Sequence, residues 1–236
     1  MKIMKADRTG TARDVRVIEE FMLQHLYAMC KPSTDRLRYP FMDPGGHSGN
    51  NLWDWDSYWA GRAMVSLCDY FSREACAAQL RETTANHIAG SVCNFLDMME
   101  PDGFVPIMTT EDGVLERELR KMHAENRVNQ HKPFLAQNAK LAADFTVKYD
   151  WVSDRFEGLE RYFDFYRRNQ KRDCGLYVFN NDVMIGVDNN PAVFARPPRS
   201  CADLLLNVFL VEEFRAMAGL AERVGKSDRV KFYEEE

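Results

Sequence analysis

Two carboxylates, three tryptophans and a tyrosine fall between Trp53 and Trp59, in the stretch LWDWDSYW that runs from Leu52. Indole faces cover the C–H surface of a sugar ring while carboxylates bond its hydroxyls, so this mixture, with both Asp54 and Asp56, suits a carbohydrate site. The residues just before, PGGHSGNN from Pro44, have the composition of an irregular loop, which a rigid scaffold can aim. The competing reading is structural: Asp56 or Ser57 caps a helix, and Trp53 and Trp59 belong to the core. Asp54-Trp55-Asp56 also fits a D-x-D metal pattern, but a hard cation wants several oxygens and the neighbours here are tryptophans. Downstream, Asp188 stands in GVDNNP, where Asp and Asn ahead of Pro191 favour an Asx turn without any function. His47, His123 and His131 lack ligand spacing, and no metal is assigned. No GxSxG, phosphate-binding loop or dinucleotide fingerprint occurs.

The elements that position these residues read as helices. Ile18, Phe21, Met22, Leu26 and Met29 recur at three and four, predicting an amphipathic helix over 13–30 with that stripe inward. A long loop follows over 34–52, then a helix over 57–71 that turns Tyr58, Ala63, Val65 and Leu67 to its neighbours. Ser72 is placed to cap a helix over 73–99, with Leu80, Ile88, Val92, Phe95 and Leu96 as its apolar stripe. Beyond Pro101-Asp102-Gly103 come a short extended piece, a charged and exposed helix over 114–126, and a polar loop at Asn129 to Pro133. A helix is expected from Pro133 to Tyr149, and another capped by Ser153 that buries Phe156, Leu159, Tyr162, Phe163 and Tyr166. Leu176 to Phe179 reads as a brief strand, Ser200 to Asp203 as a capping box, and Ser227 as the start of a last helix after one that Gly225 closes. Helix after helix, with polar loops entering alternate ones, excludes an alternating βαβ fold and predicts an all-α chain built as an α/α toroid of helical hairpins.

The chain has 236 residues, enough to bury a real core, and is read as a single domain over 1–236. A formal net charge of -5 excludes a nucleic-acid footprint and a polybasic membrane patch, leaving a small neutral molecule as the expected partner. Six cysteines without a CxxC pair read as reduced thiols. With neither an apolar segment behind the N-terminal lysines nor a run of 18 apolar residues, a soluble, cytoplasmic protein is expected. Three glutamates at positions 234–236 sit where a helix dipole disfavours them, which points to a chain that continues.

Four blocks in order, LWDWDSYW (Leu52 to Trp59), DGFVP (Asp102 to Pro106), NQHKP (Asn129 to Pro133) and GVDNNP (Gly186 to Pro191), resemble the six-hairpin glycosidases, most closely glycoside hydrolase family 63 and the related trehalases. The resemblance spans roughly Tyr39 to Pro198. It implies an (α/α)6 barrel, of which this chain is the N-terminal half or more, and an inverting α-glucosidase or α-mannosidase with no cofactor. Asp188 becomes the general acid, its pKa raised by burial. Trp55 and Asp56 line the subsite of the cleaved sugar, Gln130 reaches a hydroxyl, and Tyr39, Trp53 and Trp59 stand on the same wall. The general base is a late glutamate, expected beyond Glu236 because none of Glu100, Glu111, Glu125 or Glu157 stands in a matching motif. Without it, the alternative is a sugar-binding protein on the same fold. A half ring would expose apolar faces and pair with a second copy.

Overall fold

The computed structural model describes residues 8–25, 27–44, 50–187 and 190–236, with residues 8 and 9 described by backbone alone. Leu26, the glycines of the loop at 45–49 and Asp188 therefore lie outside the described residues. Within them the chain is mostly helical. The helices are α1 (Arg8–His25), α2 (Asp54–Tyr70), α3 (Ala77–Asp97), α4 (Val114–Ala124), α5 (Leu135–Thr146), α6 (Asp150–Asn169), α7 (Leu204–Arg223) and α8 (Ser227–Glu235). Four strands of two or three residues, β1 (Cys30–Lys31), β2 (Phe41–Met42), β3 (Asn51–Trp53) and β4 (Met108–Thr110), make two antiparallel pairs. None of the described helices is long and apolar enough to cross a membrane, and all six cysteines are free.

Three hairpins carry the fold. In the first, α2 and α3 run antiparallel, with Cys68 Sγ 3.4 Å from Thr84 Oγ1 and Gly61 opposite Ile88. Val147, in the left-handed region, ends α5, and α6 folds back at once from Asp150. Gly225 closes α7 so that α8 returns beside it, Phe214 and Tyr233 stacking at 6.4 Å. The first helices of the three hairpins point the same way. A Cβ at Gly61 would lie 3.5 Å from Asn138 Oδ1, Glu213 bonds the start of α5, and Lys140 lies 3.0 Å from a Cβ at Gly219 further along both. Consequently the segments that enter α2, α5 and α7 lie at one end of the molecule. Phe95, Phe156, Leu159, Tyr162, Phe163, Phe214 and Met217 fill the largest core cluster between these layers. The stripes expected of α3 and α6 are all buried.

Several expectations about element ends and faces are corrected. Ile18, Phe21 and Met22 of α1 are exposed, because periodicity marks an apolar face without supplying what covers it. The face that α2 buries most deeply is Ser57, Ala60, Gly61, Met64 and Cys68; Val65 and Leu67 pack against a core cluster while partly buried, and Ala63 is exposed. Its N-cap is Trp53, in extended backbone, so neither Asp56 nor Ser57 caps; the Ser57 hydroxyl donates back to Asp54 O at 2.7 Å. Ser72 lies in the turns that follow α2, and α3 starts at Ala77. A tight turn from Phe134 N to Lys132 O delays α5 to Leu135, while Ser153 falls inside the first turn of α6. Asp203 itself caps α7, accepting from Leu205 N at 2.8 Å, whereas Ser200 donates to Pro197 O. The strand expected at 176–179 is a single bridge, Lys171 with Tyr177. Short α4 is not wholly exposed: Glu116 is buried and held by Arg36, Arg120 and Thr109.

Candidate functional site

Asp54 opens α2 and is fully enclosed, an arrangement that a carboxylate tolerates only with its oxygens satisfied. Oδ1 accepts from Trp55 N at 2.7 Å, and Oδ2 accepts from both the backbone N and the Nζ of Lys132, each at 2.8 Å. Lys132, in the NQHKP block, is itself 4% exposed, and its ammonium lies 4.9 Å from the Trp55 ring centroid. The opening block and the NQHKP block are thus joined by a buried ion pair and a cation–π contact.

The other two blocks arrive at the same place. Asp54 N donates to Ile107 O at 2.9 Å, Trp53 pairs with Met108 across β3 and β4, and His131 N donates to Val105 O at 2.8 Å, which docks the strand after DGFVP and DGFVP itself. Gly186 has φ +87°, and a Cβ there would stand 2.8 Å from Trp55 Cζ2 and 3.1 Å from Lys132 Nζ. The backbone that enters GVDNNP therefore rests on the Trp55 and Lys132 side chains, a closeness only glycine permits. Upstream of it, Asn129 donates to Asn181 O and Val183 O at 2.9 and 2.7 Å and accepts from Asn180 N at 2.7 Å. Downstream, Asn190 donates to the Asp203 carboxylate.

Behind these contacts lies a polar core. The Tyr162 and Tyr166 hydroxyls donate to the His131 carbonyl, and Tyr162 also reaches Lys132 O. His131 is buried, donates from Nδ1 to Lys132 O in its neutral form, and has its pKa lowered to about 4 by desolvation. Glu213 of α7 is buried too, and accepts from Ala136 N and Gln137 N at 2.7 and 2.9 Å at the start of α5. Burial pushes its carboxyl up to about 7 against those two bonds.

The site residues expected from sequence fall into distinct places. Asp56 is half-buried beside this cluster; desolvation raises its pKa, Asp54 adds to the rise and Lys132 opposes it. Trp55 packs on Phe134, as do Tyr58 and Trp59, and Trp59 keeps 51% of its surface exposed. Trp53 packs against the cluster of Phe104, Ile107 and Met108. Gln130 is buried with no hydrogen bond to either amide atom among the described residues. Tyr39 stands apart: its backbone is held by Asn94 and its hydroxyl accepts from Arg155 at 2.7 Å. Asp188 is outside the described residues, between Gly186 and Asn190. The sequence reading gave no role to Lys132 or Glu213, and it met Asp54 only as one of two carboxylates in a D-x-D pattern and Asn129 only as the first residue of the NQHKP block. Lys132 carried a signal as the one formal charge inside that block, whereas Glu213 carried none.

The arrangement offers the groups that a neutral polyol needs: the half-buried Asp56 carboxylate, the indoles of Trp55 and Trp59 packed on Phe134, and the buried Asp54–Lys132 pair. Comparison with family models, with curated proteins and with solved structures gives no match.

Proposed function

We propose that this chain is all or part of an inverting glycosidase that acts on an α-glucoside or α-mannoside, built on an α/α toroid, with Asp188 as general acid. The observation that carries the reading is convergence. Blocks separated by up to 78 residues, from LWDWDSYW to NQHKP, meet around Asp54, Lys132 and Trp55, and the residue two before Asp188 packs on the same two side chains. Motifs that occurred by chance would have no reason to collect at one end of three helical hairpins.

In this reading the sugar lies on Trp55 with its hydroxyls to Asp56, while Trp53, Trp59 and Gln130 complete the wall. Asp188 protonates the glycosidic oxygen, and water attacks from the opposite face under a second carboxylate acting as general base. Inversion sets the two carboxyl groups about 6.5–9.5 Å apart, leaving room for that water. The partner is a small carbohydrate in the cytoplasm, with no cofactor required.

An α-glucosyl or α-mannosyl disaccharide should give the β-anomer first, followed by proton NMR at the anomeric position. Asp188→Asn should lower kcat by a factor on the order of 10² to 10⁴, the usual contribution of a general acid. First release of the α-anomer, or full turnover by the variant, would sink the assignment. Saccharide binding by calorimetry without any turnover would favour a sugar-binding protein on the same fold.

A further inference from the structure

Lys132 of the NQHKP block received no role from the sequence, yet it touches Asp54, Trp55, Tyr162 and the backbone near Gly186. Its backbone N and its Nζ both bond Asp54 Oδ2 at 2.8 Å, and the ammonium lies 4.9 Å from the Trp55 centroid. Its carbonyl receives the Tyr162 hydroxyl at 2.9 Å and the His131 imidazole. A Cβ on Gly186 would come within 3.0 Å of Lys132 Cε and 3.1 Å of Nζ, so the end of the side chain lies directly under the backbone of the loop.

We propose that Lys132 is a positioning residue: clamped by Asp54 and lying against Trp55, it forms the seat on which the loop backbone rests at Gly186. This rests on the glycosidase reading as far as the loop's acid, Asp188, is concerned, but the seat itself is a matter of geometry. Three constraints fix the Lys132 side chain at once. Its side chain is almost wholly buried, Asp54 supplies a counter-charge in direct contact with it, and Trp55 lies against it. A lysine stem held this firmly is a rigid surface, and the loop backbone at Gly186 lies against it. Asn129 holds the loop upstream and Asn190 downstream, so between them Lys132 sets the height at which the chain crosses Trp55.

The test is amide hydrogen exchange on a peptide spanning 183–193, with an α6 peptide as internal reference. Removing the lysine alone would leave Asp54 charged and buried, so the variant is Lys132→Ala combined with Asp54→Asn. Exchange in 183–193 should quicken about tenfold or more while α6 is unchanged, the signature of a local opening. Lys132→Met with Asp54→Asn, which keeps the stem, should restore most of the protection. Should the alanine pair fail to fold, Lys132→Arg keeps the charge but puts a wider head under Gly186, and should quicken exchange in the same peptide. Wild-type exchange in a folded alanine pair or in the arginine variant overturns the proposal.

Turnover separates the two readings. If the wild type hydrolyses the disaccharide and the variants lose kcat more than KM, seat and acid both stand. Altered exchange in a chain without hydrolysis upholds the seat and removes the glycosidase reading. Unaltered exchange and kinetics beside good hydrolysis do the reverse.

Discussion

At the scale of single residues, two aspartates two positions apart have opposite fates. Asp54 is enclosed, with three donors of which one is the Lys132 ammonium, and its work is structural; Asp56 keeps a half-buried carboxyl whose proton affinity burial has raised. Nothing in the letters WDWD distinguishes them, since the difference arises from Lys132, 78 residues away from Asp54. Glycines differ in the same manner. Gly186 (φ +87°) and Gly175 (φ +85°) share a left-handed backbone, but a Cβ at Gly175 would meet nothing within 4 Å while one at Gly186 would strike the Trp55 ring. Gly175→Ala should therefore cost only the conformational penalty, about 1–2 kcal/mol. Gly186→Ala should cost more than Gly175→Ala in chemical denaturation, or else displace the loop and shift tryptophan emission. Equal costs with unshifted emission would show that the close approach over Trp55 does not exist in solution.

At the scale of elements, helix starts are served by unexpected groups. The residue before α5, Phe134, makes no side-chain cap, and the first-turn amides of Ala136 and Gln137 are bonded instead by Glu213 from the middle of α7. Glu213→Ala leaves two buried donors unmet, and unfolding free energy should drop by about 2–4 kcal/mol; Glu213→Gln, which can satisfy only one of them, should fall between. Full stability of the alanine variant in urea would mean that the α5 start has another partner. This explains what was legible in the sequence. Periodicity and turn chemistry located α3 and α6 and their buried stripes, because those signals are local. Starts capped by Trp53, Cys76, Phe134 and Tyr149 carry no capping letter, and so were misplaced by a few residues. Apolar spacing in α1 was real, but what it faces cannot be read from spacing. The site was legible as blocks and not as contacts: Trp55 and Asp56 stood out by type, whereas Asn129 and Lys132 gain their meaning from partners more than 50 residues distant.

At the scale of the whole molecule, two buried groups in the polar core oppose each other across acidic pH. His131, ordinarily near 6.5, is lowered to about 4, so between those values the unfolded chain holds a proton that the native chain refuses. Its contribution is present above 6.5 and is lost as pH falls toward 4. Glu213, ordinarily near 4.5, is raised to about 7, so here the native chain keeps the proton and stability falls as pH rises across that range. Each displacement corresponds to about 3 kcal/mol, and the ranges overlap from 4.5 to 6.5 with slopes of opposite sign. The pair should leave stability nearly level there, although each alone would tilt it. His131→Asn, whose amide can still donate to Lys132 O, removes one side of the balance. Urea unfolding at the two ends of the overlap should then show a variant that loses about 2–3 kcal/mol relative to wild type on going from pH 4.5 to 6.5. A parallel pair of profiles would mean that His131 already takes up its proton in the native state. The imidazolium would then lie beside Lys132, and the buried Asp54 would be the charge that admits it.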